Sequence, residues 1–113
     1  MADVLILGVC EKAPASKLRV PCDFGDIELL VASYLGDLGY TIADYEITID
    51  SQAQGAPTVS GPQIDESVNG VAYQISGVVD GGESGTDYPI VYWIQVDDPN
   101  ASEFEATGTI RVK

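Results

Sequence analysis

Apolar and polar residues alternate along most of this chain, and this alternation predicts β-strands with one face buried and one face in solvent. In residues 41–50, Tyr45, Ile47 and Ile49 share one face, and acidic or hydroxyl side chains share the other. Two later strands follow the same rule, and their inward-facing sets are Tyr88, Ile90, Tyr92, Ile94 and Val96, then Phe104, Ala106, Gly108, Ile110 and Val112.

Shorter runs complete the set of predicted strands. Residues 4–9 are predicted to form an apolar first strand. In residues 17–21, charged and apolar side chains alternate up to Pro21, and residues 59–64 are predicted to form an edge strand interrupted by Gly61-Pro62. Asn69-Gly70 is a hairpin signal before a strand at residues 71–79. About seven short strands, without long helices between them, predict an all-β, antiparallel β-sandwich.

One segment follows a helical period instead. Between Ile27 and Leu38, apolar residues recur at spacings of three and four, with Asp26 as the expected N-cap and Gly36 and Gly39 as the expected end. The pattern predicts one short helix near residues 27–35; a strand at residues 27–31 followed by a turn is the alternative. We expect a single compact domain, with residues 1–22 as an N-terminal strand and loop and residues 23–113 as the β-sandwich.

The charge balance and the absence of histidine exclude several classes of function. Eighteen acidic residues against five basic ones give a net charge of −13, and the chain contains no histidine. Such a charge repels nucleic acid and anionic membranes, and histidine-based catalysis is excluded. We therefore expect no enzymatic activity, no cofactor and no nucleic-acid or membrane partner. No Lys or Arg lies between residues 20 and 110, which indicates either an acidic solvated surface or a negative face that docks on a basic neighbour.

The acidic residues include one weak calcium candidate, formed by Asp97, Asp98, Asn100 and Glu103. Calcium takes six to eight oxygen ligands and tolerates loose geometry. Asp and Asn also form the local hydrogen bonds of ordinary turns. We expect a metal-free turn here, with calcium binding as the alternative.

Four residues are candidates for an interface. Val4 and Ile6 belong to the first strand, which either completes its own sheet or adds to that of a neighbour. Trp93 falls on the less apolar face of its strand, and Arg111 belongs to the basic residues near the chain ends. Cys10 and Cys22 are either a disulfide or, more typically in a chain without a leader, two reduced thiols.

Residues 23–112 resemble a family of small tailed-bacteriophage virion proteins, described as fibre–tail adaptor or head–tail region proteins. The resemblance starts at Asp23-Phe24 and a Leu-rich stretch ending in Leu35-Gly36-Asp37, and continues in residues 40–47, which resemble the family's T-I-x-x-x-x-W/Y-x-V strand. Residues 72–86 resemble its V-x-x-x-L-S-G-G-x-x-G-T turn, and residues 103–112 its closing R-x-F-x-I-x-V strand. The acidic turn at residues 97–100 replaces a turn that is often Gly-rich in the family.

This resemblance implies an immunoglobulin-like β-sandwich with a structural role in the virion. Its implied partners are other virion proteins of the tail, fibre, portal region or capsid, together with further copies of the chain in a homo-oligomer. The implied location is the virion, assembled in the host cytoplasm. The alternative from another functional class is an immunoglobulin-like adhesion or carbohydrate-binding module, with or without calcium.

Overall fold

The computed structural model describes residues 3–27, 29–66 and 72–113, and within them two β-sheets pack face to face. The strands are β1 (Asp3–Lys12), β2 (Lys17–Asp23), β3 (Ile42–Ile49), β4 (Thr58–Glu66), β5 (Ala72–Asp80), β6 (Asp87–Val96) and β7 (Glu103–Val112). One sheet has the order β1-β7-β6-β3 and the other β2-β5-β4. The all-β sandwich is therefore confirmed, whereas immunoglobulin-like connectivity stays a prediction. Asn69-Gly70 lies outside the described residues.

Strand β1 is the exception to antiparallel pairing among the described strands. It runs parallel to β7, and the other strand pairs are antiparallel. Alternation predicts a strand but not its direction, which is set by the tertiary packing of β1 against the free side of β7. The N-terminal segment thus supplies β1 to one sheet and β2 to the other, and the first strand completes its own sheet.

The core lies between the two sheets and contains the predicted inward faces. The inward residues of β6 are between 0% and 3% exposed, and Phe104 and Ile110 of β7 are buried with them. Tyr45 is only half-buried and packs at the margin of this core. The hydroxyl of Tyr92 donates a hydrogen bond to the carbonyl oxygen of Val20 at 3.0 Å, so β6 of one sheet is tied to β2 of the other.

The helical segment begins earlier than predicted. Helix α1 spans Phe24–Ile27, α2 spans Leu29–Ala32, and a π-helical turn follows at Ser33–Asp37. The Asp23 carboxylate accepts a hydrogen bond from the Gly25 N–H at 2.9 Å, so the expected N-cap at Asp26 is wrong by three residues. The helical turns end at Asp37, so the expected end at Gly36 is wrong, and Gly39 follows with a φ of 75° that favours glycine. The alternative strand at residues 27–31 is also wrong.

A bulge in β1 keeps its later residues in phase with the core. Ile6 pairs with Thr107 and Val9 with Thr109, so two residues of β1 stand opposite the single Gly108. Cys10 consequently pairs with Ile110, whose side chain is buried. In the part of the chain that the structure describes, no helix has the length and apolarity needed to span a membrane.

Candidate interaction surface

The outward face of the four-stranded sheet presents an aromatic side chain among carboxylates. Trp93 of β6 is half-buried and stands directly between Glu46 of β3 and Glu105 of β7. Residues opposite each other in neighbouring strands have Cβ atoms about 4.5–5.5 Å apart. The Trp93 indole N–H also donates to a carboxylate oxygen of Glu103 at 2.8 Å. We call Trp93, Glu46, Glu103 and Glu105 the Trp93 face.

The other interface candidates belong to the same sheet. In β1, Val4 pairs with Glu105 and Ile6 with Thr107, so their register positions adjoin the Trp93 face. Arg111 pairs with Asp87 at the opposite end of the sheet, six residues along β7 from Glu105, which corresponds to about 20 Å. The structure therefore brings Val4 and Ile6 near Trp93 in register and places Arg111 apart from them.

All five Lys and Arg side chains are engaged within the chain. Three form ion pairs, and these are Lys17 with Asp80 at 3.9 Å, Arg111 with Asp87 at 3.1 Å and Lys113 with Glu11 at 2.8 Å. The Lys12 ammonium is buried and donates to backbone carbonyl oxygens, including that of Gly81 at 2.8 Å. Arg19 donates to the Ser76 hydroxyl at 3.0 Å and to the Gly61 carbonyl at 3.3 Å.

These contacts also shift the pKa values of the paired side chains near the chain ends. The hydrogen bond from Lys113 lowers the pKa of Glu11, and the same bond raises the pKa of Lys113. The hydrogen bond to Asp87 raises the pKa of Arg111. The basic residues near both ends are therefore paired inside the molecule rather than gathered into a separate basic surface.

Three of the four calcium candidates accept hydrogen bonds, each from a different residue. Asp97 accepts from the Thr41 N–H at 2.8 Å and from its hydroxyl at 3.0 Å. Asp98 accepts from the N–H and hydroxyl of Ser102, and these bonds lower the pKa of Asp98. Glu103 points to Trp93, and Asn100 is exposed in the turn. Among the described residues, no group of three or more acidic or cysteine side chains is placed to hold a metal.

Three of the four outermost strands carry features that oppose pairing with another chain. Strand β3 bears Asp44 and Glu46 and has a bulge, β4 contains Gly61-Pro62 and shifts register, and β2 contains Pro21 between charged residues. Strand β1 contains a bulge but neither charge nor proline from residue 4 to residue 10. Its outer edge is therefore the least protected of the four.

An apolar groove of about 430 Å³ runs between β1 and β2, along that open edge. It is lined by residues 7–10 of β1 and residues 20–23 of β2, with Tyr92 and Ile110 at its floor. Cys10 and Cys22 both line it as free thiols, and burial raises the pKa of Cys22 to about 12. Asp23 and Asp26 lie on its rim. We call this feature the β1–β2 groove.

The sequence pattern indicated the candidate residues but not these surfaces. The uncharged run at residues 4–10 is a visible signal for an unprotected edge, yet only the topology shows that β1 is outermost. The carboxylate neighbours of Trp93 come from β3 and β7, so they depend on long-range register. No protein-family model matches this chain, and no curated protein matches it either.

Proposed function

We propose that this chain is a structural component of a tailed-bacteriophage virion, such as a tail or fibre adaptor or a capsid-associated protein. It acts through protein–protein contacts in a symmetric assembly rather than by catalysis. The sequence resemblance of residues 23–112 supports this proposal, and a small β-sandwich is a scaffold suited to such contacts. Fold alone does not assign a function, and the contacts of a structural protein are made by its exposed surfaces.

The open edge of β1 beside the β1–β2 groove is the observation that carries the proposal. An edge strand presents unpaired N–H and C=O groups, and another chain can pair with them by adding a strand. Val9 of β1 is 51% exposed and belongs to the apolar lining of the groove, and a contiguous apolar surface of this kind is typical of a protein–protein contact. A strand from a neighbouring virion protein would pair with β1 and cover the apolar lining of the groove.

The test uses particles produced from the phage genome that encodes this chain. Gradient-purified virions should contain the chain at a fixed copy number per particle, measured by quantitative mass spectrometry. Absence of the chain from particles that are otherwise complete would contradict the proposal.

A charged variant tests the role of the β1 edge. Val9→Lys places a charge on this edge and should prevent incorporation into particles, because edge lysines oppose strand addition. Ser60→Lys makes the same charge change on the exposed edge strand β4 and should be incorporated normally. Thermal melts of both purified variants confirm that each is folded. Equal incorporation of the two variants would exclude the β1 edge as the contact.

The alternative, an immunoglobulin-like adhesion or carbohydrate-binding module, makes a different prediction if it depends on calcium. Calcium bound to the folded state would raise the melting temperature, and EDTA would lower it. Because Asp97 and Asp98 already accept hydrogen bonds from Thr41 and Ser102, we expect the same melting temperature with calcium and with EDTA.

A further inference from the structure

We infer that the Trp93 face binds an arginine side chain on a basic surface of a partner protein. This inference rests on the proposed function for the kind of partner, a neighbouring protein in the virion. Its chemistry rests on the geometry of Trp93 and three carboxylates, which comes from the register of the sheet and from one side-chain hydrogen bond.

The indole ring of Trp93 is fixed among carboxylates on this face. Trp93 is held in place because its N–H donates to Glu103 at 2.8 Å, while Glu46 and Glu105 stand on either side of it in the sheet. A cation above an aromatic face is attracted by the ring, and tryptophan is the strongest of the aromatic side chains in this respect. Carboxylates beside the ring add ion pairs to the same cation. The face therefore combines two kinds of recognition of positive charge.

The carboxylates of the Trp93 face, Glu46, Glu103 and Glu105, form no ion pair with the described basic side chains. The five basic side chains of the chain are engaged elsewhere, as described above. A partner that brings a cation to this face thus neutralises charge that the fold leaves without a counter-charge.

A second copy of this chain is a poor source of that cation. It offers only the same five basic side chains, and each of these is already engaged within its own chain. Donation of Arg111 to another copy would break its two hydrogen bonds to Asp87, at 3.1 Å and 3.2 Å. A different protein with a basic surface fits the charge of the face.

Arginine fits better than lysine for a geometrical reason. Its planar guanidinium stacks on an aromatic ring and also presents a fork of donors that matches a carboxylate. Lysine carries a compact and strongly hydrated charge, and it pairs with a carboxylate as a point charge. The arrangement of one indole beside several carboxylates therefore favours a guanidinium.

The test takes advantage of Trp93 being the only tryptophan of the chain, so its fluorescence reports on this face alone. The full-length protein is titrated at low salt with a triarginine peptide, and with trilysine and triglutamate peptides for comparison. We expect a saturable change in fluorescence with triarginine, a weaker one with trilysine and none with triglutamate. No change with triarginine would overturn the inference.

A matched pair of variants separates a specific site from general attraction to an acidic protein. Glu103→Gln with Glu105→Gln removes two charges from the face, and Asp50→Asn with Glu83→Gln removes two exposed charges near the opposite end of β6. We expect the first pair to weaken triarginine binding about threefold to tenfold more than the second. Equal weakening by both pairs would overturn the inference.

The outcome is independent of whether the chain is found in virions. Triarginine binding at Trp93 without incorporation into particles would leave the inference standing and refute the proposed function. Incorporation without triarginine binding would do the reverse. Melting curves of all variants confirm that a loss of binding does not come from unfolding.

Discussion

Replacement of Tyr92 by phenylalanine tests the polar link between the two sheets. Tyr92 is 1% exposed, and its hydroxyl donates to the Val20 carbonyl oxygen at 3.0 Å. Tyr92→Phe keeps the ring in the core and removes only this bond. We expect a loss of about 1 to 2 kcal/mol in the free energy of unfolding at pH 7, which lowers the melting temperature by about 4 to 8 °C per kcal/mol.

The destabilising effect of the same substitution should decrease at alkaline pH. Burial raises the pKa of Tyr92 well above its ordinary value, and the nearby Cys22 and Cys10 raise it further. An unfolded tyrosine ionises near pH 10, so the contribution of Tyr92 is complete below pH 10. It is lost at about 1.4 kcal/mol per pH unit as the pH rises from there towards the pKa of the folded state. Phenylalanine does not ionise.

Urea unfolding at pH 7, 10 and 11, followed by circular dichroism, measures this difference. The wild-type protein should be more stable at pH 7, and its advantage should shrink above pH 10 and disappear near pH 11. Alkaline effects of groups that do not interact with Tyr92 are common to both proteins and cancel in the comparison. A constant difference across the range, or none at pH 7, would refute the assigned role of the Tyr92 hydroxyl.

Three further predictions concern packing, a turn and the buried thiol. Gly77→Ala places a Cβ 2.6 Å from a methyl group of Val59 and should lower the free energy of unfolding by about 1 to 3 kcal/mol through overpacking. In urea unfolding, the double variant with Val59→Ala should recover part of this loss. Simple additivity of the two substitutions would contradict the contact. Asp98→Ala should lower the melting temperature at neutral pH. Because hydrogen bonds lower the pKa of Asp98, its contribution to stability is present above the unfolded pKa near 4 and is lost as the pH falls below 4 towards the lower pKa of the folded state. The difference in melting temperature between the variant and the wild type should therefore shrink as the pH is lowered from 5 to 2. Cys22 is buried and its pKa is raised to about 12, so it should resist alkylation at pH 8 until urea is added. The half-buried Cys10 should react first. Equal alkylation rates of the two thiols in the folded protein, measured by mass spectrometry, would contradict this prediction.

Local pattern was sufficient to predict most of the strands and their buried faces. In β6 and β7, each side chain that alternation placed inward is buried, because a strand with period two has only two faces to choose between. The helical segment was predicted in type but not in its start. The expected cap, Asp26, and the residue that caps the segment, Asp23, are both aspartates, and only the fold shows which carboxylate reaches a free N–H.

The interaction surface could be predicted only in part, because its contacts are long-range. The parallel pairing of β1 with β7 joins residues about a hundred positions apart, and nothing in the local sequence of β1 sets its direction. The acidic neighbours of Trp93 come from strands that precede and follow it. The calcium candidate shows the opposite limit, because residues that are close in sequence do not share a site. Asp98 accepts from Ser102 in the same turn, whereas Asp97 accepts from the distant Thr41 and Glu103 accepts from Trp93.

Hydrogen–deuterium exchange of this chain inside purified virions, compared with the free protein, tests the central claim most directly. The account predicts that assembly slows exchange in residues 7–10 of β1 and around Trp93 and leaves β4 (Thr58–Glu66) unchanged. Slower exchange in β4 with no change in β1 and around Trp93 would contradict the account, because the chain would then be held by an edge strand to which we assign no partner.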